Sequence, residues 1–234
     1  TEEKQELIKY CVKVVNKRIP VIAGIGSNNT KAVVENEKFA ERIGVDGLLA
    51  VTPYYNKATQ KGLIEHYTYI ADRVNTPIIL YNVPSRTGMT IPIPILKKLA
   101  KHPQIIGIKE ASGDIAYVME VGRLIEESFV LYSGNDDTIL PVLSVGGIGV
   151  ISVWANIQPK RVHDLVEAFE QGEMKKAQRL QLEALPLIHA LFSETNPIPV
   201  KAAMDLMGLP AGPLRLPLVP LADEKRAQLA QILD

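Results

Sequence analysis

Six short apolar runs, rich in β-branched residues and each followed by helical spacing, constrain this chain more than any other feature of it. They are P-V-I-A-G-I-G at 20–26, G-L-L-A-V within 46–55, P-I-I-L-Y within 76–84, I-I-G-I within 103–113, F-V-L-Y within 129–134 and G-V-I-S-V-W at 149–154. Runs of this length bounded by Gly, Pro and Asn read as strands. A strand apolar through its whole length has both faces covered, the condition of a parallel sheet between helices. The intervening helical stretches cover 1–16, 28–43, 60–74, 93–101, 115–127, 138–145 and 158–171. Thr1 is the expected first N-cap, ahead of Glu2 and Glu3, which suit the positive end of a helix.

Two architectures meet that pattern, an open doubly wound sheet and a TIM (β/α)8-type barrel. The polar residues decide between them. Nearly every run ends in a distinctive cluster: G-I-G-S-N, T-P-Y-Y-N, Y-N-V-P-S-R, K-E-A-S and S-G-N-D. An open sheet concentrates function at one switch point, whereas a barrel spreads it along the rim at its strand ends. No Gly-rich phosphate loop of either common type occurs. The expected barrel domain spans 1–171. From 172 the strand pattern stops, and a long helical stretch at 173–193 is expected to kink at Pro186. A rigid turn, Asn196-Pro197-Ile198-Pro199, and helices at 200–207 and 223–233 complete an expected C-terminal helical domain, 172–234.

Lys plus Arg and Asp plus Glu number 26 each among 234 residues. That balance gives no electrostatic footprint for nucleic acid or an anionic membrane surface. No apolar run approaches the ~18 residues of a membrane span, and no signal-peptide pattern opens the chain. The first residues read as the start of a helix and carry no initiator methionine, so a segment is expected to have been removed upstream. A single cysteine, Cys11, rules out an internal disulfide and fits a reducing compartment, with the cytoplasm the expected location.

Chemistry concentrates in I-I-G-I-K-E-A-S-G. Strand side chains alternate, so Lys109 shares a face with Ile105 and Gly107, while Glu110 lies opposite. A lysine ending a buried strand has its amine favoured in the neutral form, a nucleophile for carbonyls. The alternative is a lysine whose stem packs and whose charge stays wet. Tyr81 ends the run P-I-I-L-Y. If its face is the barrel interior, its phenol enters the same space as Lys109 and can relay protons; otherwise it is a core tyrosine bonded to backbone. Arg86, in the next loop, carries a planar fork suited to a carboxylate, or is a solvated surface residue. Tyr54 and Tyr55 are adjacent; continued strand geometry would face them oppositely, and exposed aromatics also mark interfaces. Asn135-Asp136-Asp137 after Gly134 reads as a turn and helix cap rather than a cation site. The four histidines lack metal-ligand spacing, and no metal site is expected.

Taken together, V-T-P-Y-Y-N, Y-N-V-P-S-R-T-G, I-I-G-I-K-E-A-S-G, S-G-N-D and G-V-I-S-V, in this order, resemble the dihydrodipicolinate synthase and N-acetylneuraminate lyase family of pyruvate-dependent class I aldolases. N-P-I-P-V-K at 196–201 resembles it too. The resemblance implies a Schiff-base enzyme that needs no metal or organic cofactor. Lys109 matches the lysine that forms an imine with pyruvate, and Tyr81 the proton-relay tyrosine beside it. Arg86 matches the arginine that binds the carboxylate of L-aspartate semialdehyde, and its presence separates this branch from the sialate lyases. Tyr55 matches a tyrosine that crosses a dimer interface into the neighbouring relay. Gly134 and Asn135 match the loop at the aldehyde end, and Ile151 the strand beside pyruvate. Tyr54 and Asn28 match an interface and allosteric region. A homodimer or homotetramer is implied, acting in lysine (diaminopimelate) biosynthesis.

The same resemblance implies eight strands where this sequence reads as six. The family's first two strands, and a threonine-bearing loop that links the relay tyrosines, have no counterpart here. A barrel lacking its first two strands is therefore the expectation. Two other functions meet part of the pattern: a pyruvate lyase acting on a sugar acid, which Arg86 opposes, and a structural subunit without turnover, which joint retention of Lys109, Tyr81, Arg86 and Tyr55 opposes. Thr1, Lys4 and Ala32 stand where lysine-inhibited relatives carry histidines and an acidic residue, so feedback by lysine is expected to be weak or absent. Assaying condensation with and without millimolar lysine checks this, and strong inhibition refutes it.

Overall fold

The computed structural model describes residues 2–233, so Thr1, the expected helix cap, lies outside the described residues. The chain divides into two compact units, Thr1–Gly134 with Val145–Gly147, and Asn135–Ser144 with Ile148–Asp234. The boundary expected from composition, 171/172, falls inside the second.

The first unit alternates helix and strand. In order it holds α1 (Glu2–Val15), β1 (Ile22–Gly24), α2 (Thr30–Arg42), β2 (Gly47–Val51), α3 (Gln60–Ala71), β3 (Ile78–Asn82), α4 (Pro84–Thr87), α5 (Ile93–Leu99), β4 (Ile105–Glu110), α6 (Ile115–Gly122) and β5 (Val130–Ser133). Strands β1 to β5 pair in parallel in chain order. Register and alternation together sort the side chains. Leu48, Ile78, Leu80, Ile108 and Leu131 share one face and have no accessible surface. Leu49, Val51, Tyr81, Lys109, Val130 and Tyr132 share the other, and all are only half-buried. Helices thus seal one face of this sheet, while the opposite face is left partly open, unlike the doubly covered sheet expected from the apolar runs.

The strands are shorter than the apolar runs, for local reasons. The N–H of Val21 donates to Asp46 Oδ2 at 2.7 Å, so β1 begins one residue later. Strand β2 stops before Pro53, which has no N–H to give the ladder. Asn29 caps helix α2, and its side chain accepts from the amides of Lys31 and Ala32. Helix α6 ends at Gly122, five residues early, because Glu126 and Phe129 close a tight antiparallel bridge. The four-residue helix α4 was not anticipated. Pro84 opens it with φ already set, and the Thr87 hydroxyl donates to Val83 O at 3.2 Å.

Helix α1 has no buried residue, and Leu7, Tyr10 and Val14 on it are exposed. One tie to α2 is Lys9, whose Nζ stands 5.7 Å from the Phe39 ring centroid.

The second unit holds α7 (Ile139–Ser144), β6 (Gly149–Val150), α8 (Pro159–Glu170), α9 (Met174–Leu191), α10 (Ile198–Leu206) and α11 (Asp223–Leu233). Its core gathers Trp154, Leu143, Leu165, Ile188, Leu191 and Leu229. Helix α9 runs through Pro186 without interruption. The last run, expected as a strand to Trp154, keeps only Gly149–Val150 in extended pairing. Buried Asp136 accepts from the amides of Val153 (3.1 Å) and Trp154 (2.9 Å), which diverts the chain into a 3-10 turn.

Glu37, on α2, is fully buried, and neither carboxylate oxygen has a hydrogen-bond partner. Burial first, then the charge of Glu41, pushes its pKa up to about 8 from 4.5. The folded chain therefore keeps a proton that the unfolded chain releases, and stability falls as pH rises through that window. Glu37→Gln removes the titration. Its unfolding free energy is expected to exceed the parent's by a margin growing from about pH 5 to about pH 8, on the order of 1 to a few kcal/mol at the upper end, with a melting temperature that rises to match. Thermal unfolding of both proteins at the two pH values checks this, and a constant margin refutes it.

Candidate active site

Parallel register sets four side chains in a row across the half-open face. Val51 aligns with Tyr81, Tyr81 with Lys109, and Lys109 with Tyr132. Lys109 Nζ lies 4.3 Å from the centroid of the Tyr81 ring. The Tyr81 ring and the Lys109 amine therefore occupy one space. Burial raises the Tyr81 pKa, and the positive charge of Arg86 pulls it back. The phenol thus keeps its proton at neutral pH while a guanidinium acts on it. Arg86 is exposed, on α4 directly beyond β3. Gly88 closes that short helix in the left-handed region, φ +71°, and its N–H donates to Pro84 O. Three of the expected residues, Lys109, Tyr81 and Arg86, are thereby brought together at the carboxyl ends of β3 and β4.

Tyr132, which the sequence reading passed over, belongs to the same row, with its pKa raised by burial. The signal was available: it stands two residues before Gly134 in F-V-L-Y-S-G, at the height in β5 that Lys109 has in β4. Gly134 follows that strand, and its N–H donates to Glu110 O at 2.6 Å. Asn135 and Ile151 belong to the second unit, where both are half-buried; Ile151 follows β6 rather than lying in it.

Tyr55 is placed differently from the extended geometry considered for it. It has φ +69° and is 92% exposed, so strand alternation does not govern which way it points. A large aromatic is thus held at a backbone angle uncommon outside glycine, scarcely touched by its own chain. Tyr54 is also exposed, and its carbonyl accepts from Asn28 Nδ2 at 3.2 Å, so these two rim residues are tied to each other.

The opposite face of the same strand ends carries a second polar row. Thr52, Asn82, Glu110 and Ser133 are each at most 2% exposed. Asn82 Nδ2 donates to Glu110 Oε1 at 2.9 Å, and Asn82 Oδ1 accepts from Ile91 N at 3.0 Å. Both Glu110 oxygens accept from Ser112 N, at 2.9 and 3.1 Å. Burial raises the Glu110 pKa, opposed by the hydrogen bonds from Asn82 and Ser112. Among the described residues no group of three or more His, Cys, Asp or Glu side chains is placed to hold a metal ion. The adjacent acids Asp136 and Asp137 lie in a 3-10 turn, as the turn-and-cap reading had it, although the Asn135 side chain makes no capping bond. Among the described residues no helix is long and apolar enough to cross a membrane.

A Cβ at Gly134 would stand 2.6 Å from Ala111 Cβ and 2.9 Å from Glu110 O. Gly134→Ala is expected to force β5 away from β4 and to cost ~1–3 kcal/mol. A lower melting temperature checks this, and an unchanged one refutes the close approach.

The sequence profile of the dihydrodipicolinate synthetase family matches residues 1–234. A 4-hydroxy-tetrahydrodipicolinate synthase of Thermoanaerobacter sp. (strain X514) is 53% identical over 233 residues, 99% of this chain and 78% of that relative. One from Clostridium acetobutylicum is 57% identical over 223 residues, 95% of this chain and 76% of its own length. The crystal structure of dihydrodipicolinate synthase from Thermotoga maritima, 41% identical, superposes with a TM-score of 0.97 over 99% of this chain and 80% of that one. By profile, identity and fold, this chain belongs to the dihydrodipicolinate synthetase family.

Proposed function

We propose that the chain condenses pyruvate with L-aspartate 4-semialdehyde to 4-hydroxy-tetrahydrodipicolinate, through an imine on Lys109. The observation that carries this reading is the Lys109 amine 4.3 Å from the Tyr81 ring, with the Arg86 charge acting on the same phenol. The neutral amine attacks the pyruvate ketone, and loss of water leaves an imine. Loss of a methyl proton gives an enamine, whose carbon attacks the aldehyde of the second substrate. That substrate's own amine then closes on the imine carbon and releases Lys109. Each step moves a proton, and Tyr81, whose phenol stays protonated near neutral pH, is the donor in reach of the amine. Tyr132 flanks Lys109 on the other side. Arg86, exposed at the rim, pairs with the carboxylate of the aldehyde substrate.

Gly134, directly after β5, bounds the aldehyde end. Tyr55 reaches a second copy of the chain, in a homodimer or homotetramer, where Tyr54 and Asn28 form part of the contact. The chemistry asks for no metal or organic cofactor, because the imine itself withdraws electrons from the pyruvate methyl. The six strands are read as the last six of the family's eight-stranded barrel, with residues 1–171 as the catalytic domain and 172–234 as the helical one.

Incubation with pyruvate and borohydride, followed by mass mapping, is expected to leave a stable adduct on Lys109 and none in Lys109→Ala. Arg86→Ala is expected to raise KM for the aldehyde ~10-fold or more with little change in pyruvate trapping. Absence of the adduct from folded protein overturns the imine. An unchanged aldehyde KM overturns the role of Arg86.

A further inference from the structure

Glu110 follows Lys109 directly, yet it faces away from the amine, into the helix-covered side of the sheet. It is 2% exposed, and a carboxylate is expensive to hold there. Its bonds indicate what it holds. Asn82 uses its amide nitrogen on Glu110 and its amide oxygen on the N–H of Ile91. Reversing that amide would set oxygen against carboxylate and nitrogen against N–H, so Glu110 fixes the orientation in which Asn82 can accept from Ile91. The bond to Ile91 closes residues 82–91 into a loop. Within it, the Thr87 hydroxyl lies within bonding distance of the carbonyls of Val83 and Met89, and Tyr117, on α6, donates to Ile91 O at 2.7 Å. This closed loop carries Arg86.

We propose that Glu110 is a positioning residue: through Asn82 and Ile91 it fixes the Arg86 loop relative to Lys109, and so sets the fit of the second substrate's carboxylate. The proposal rests on the reading of Arg86 as the carboxylate clamp. One strand end then presents the amine on one face and anchors the guanidinium's loop from the other. The separation between the two substrate-binding charges is built into adjacent residues of β4. Asp114, which caps α6, and Tyr117, on it, are the other titratable groups close enough to Glu110 to act on it or feel its charge.

Steady-state kinetics, pyruvate trapping and thermal melts on four variants test this. In Glu110→Gln one oxygen can still accept from both Asn82 and Ser112, as Oε1 does now, so aldehyde KM is expected within about twofold of the parent. Glu110→Leu removes the acceptor. It is expected to raise aldehyde KM ~10-fold or more, with pyruvate KM and the Lys109 adduct within about twofold. Asn82→Asp guards against a Leu variant that fails to fold. Two carboxyl groups must then share a proton, so aldehyde KM rises with pH while pyruvate KM does not. Arg86→Ala is the reference. If it raises aldehyde KM while Glu110→Leu and Asn82→Asp do not, the coupling is overturned and the clamp stands. If Arg86→Ala leaves aldehyde KM unchanged, both fall. A loss of pyruvate trapping in step with aldehyde KM and melting temperature also overturns the proposal, because Glu110 would then be structural only.

Discussion

Alternation along a single strand governs the site. Lys109 and Glu110 are neighbours in β4, and the pleat sends them to opposite faces. One faces the half-open side, where a row of side chains is lined up by register. The other faces helices, where a polar atom without a partner is costly. Parallel pairing extends both assignments sideways, so Tyr81 joins Lys109 and Asn82 joins Glu110. A shift of one residue would exchange the rows and bury the amine. Buried leucines and isoleucines on the sealed face hold that register, because their own exposure would follow the same slip.

The energetics of the two rows differ in kind. Across the half-open face the contacts are loose: an amine over a ring, a phenol under the influence of a nearby guanidinium. Such groups keep room for substrate and change partners during chemistry. On the sealed face the hydrogen bonds form one connected network, and each orients the next. Burial penalises Glu110, but the Asn82 amide and the Ser112 N–H, the latter shared by both oxygens, offset the cost without making the charge easy. Glu37 receives no such offset, and burial governs its protonation.

Much of this was legible in the sequence, and the reasons are physical. Apolar runs of strand length reported the parallel sheet because burial leaves a compositional mark. The pairing of Tyr81 with Lys109 followed from a period of two, given that each stands next to the last residue of its strand. Ladder ends were not legible, because side chains decided them: Asp46 takes the amide of Val21, and Asp136 takes those of Val153 and Trp154. Tyr55 broke the extended pattern at a positive φ that no local residue type announces. The Asn82–Glu110 network went unread because its members are 28 positions apart and become neighbours only through register.

Helix α1 offers a different kind of consequence. Its fourteen residues are hydrogen-bonded along their own axis, yet none is buried against the rest of the chain. Local opening free energy follows burial, so the amides of α1 have little to slow their exchange with solvent deuterium, whereas those of β3 and β4, bonded on both sides beneath a sealed face, open only with the sheet. The unit is therefore graded from an edge that breathes to a rigid centre, and the lysine, the tyrosine and the loop that carries the arginine all belong to the centre.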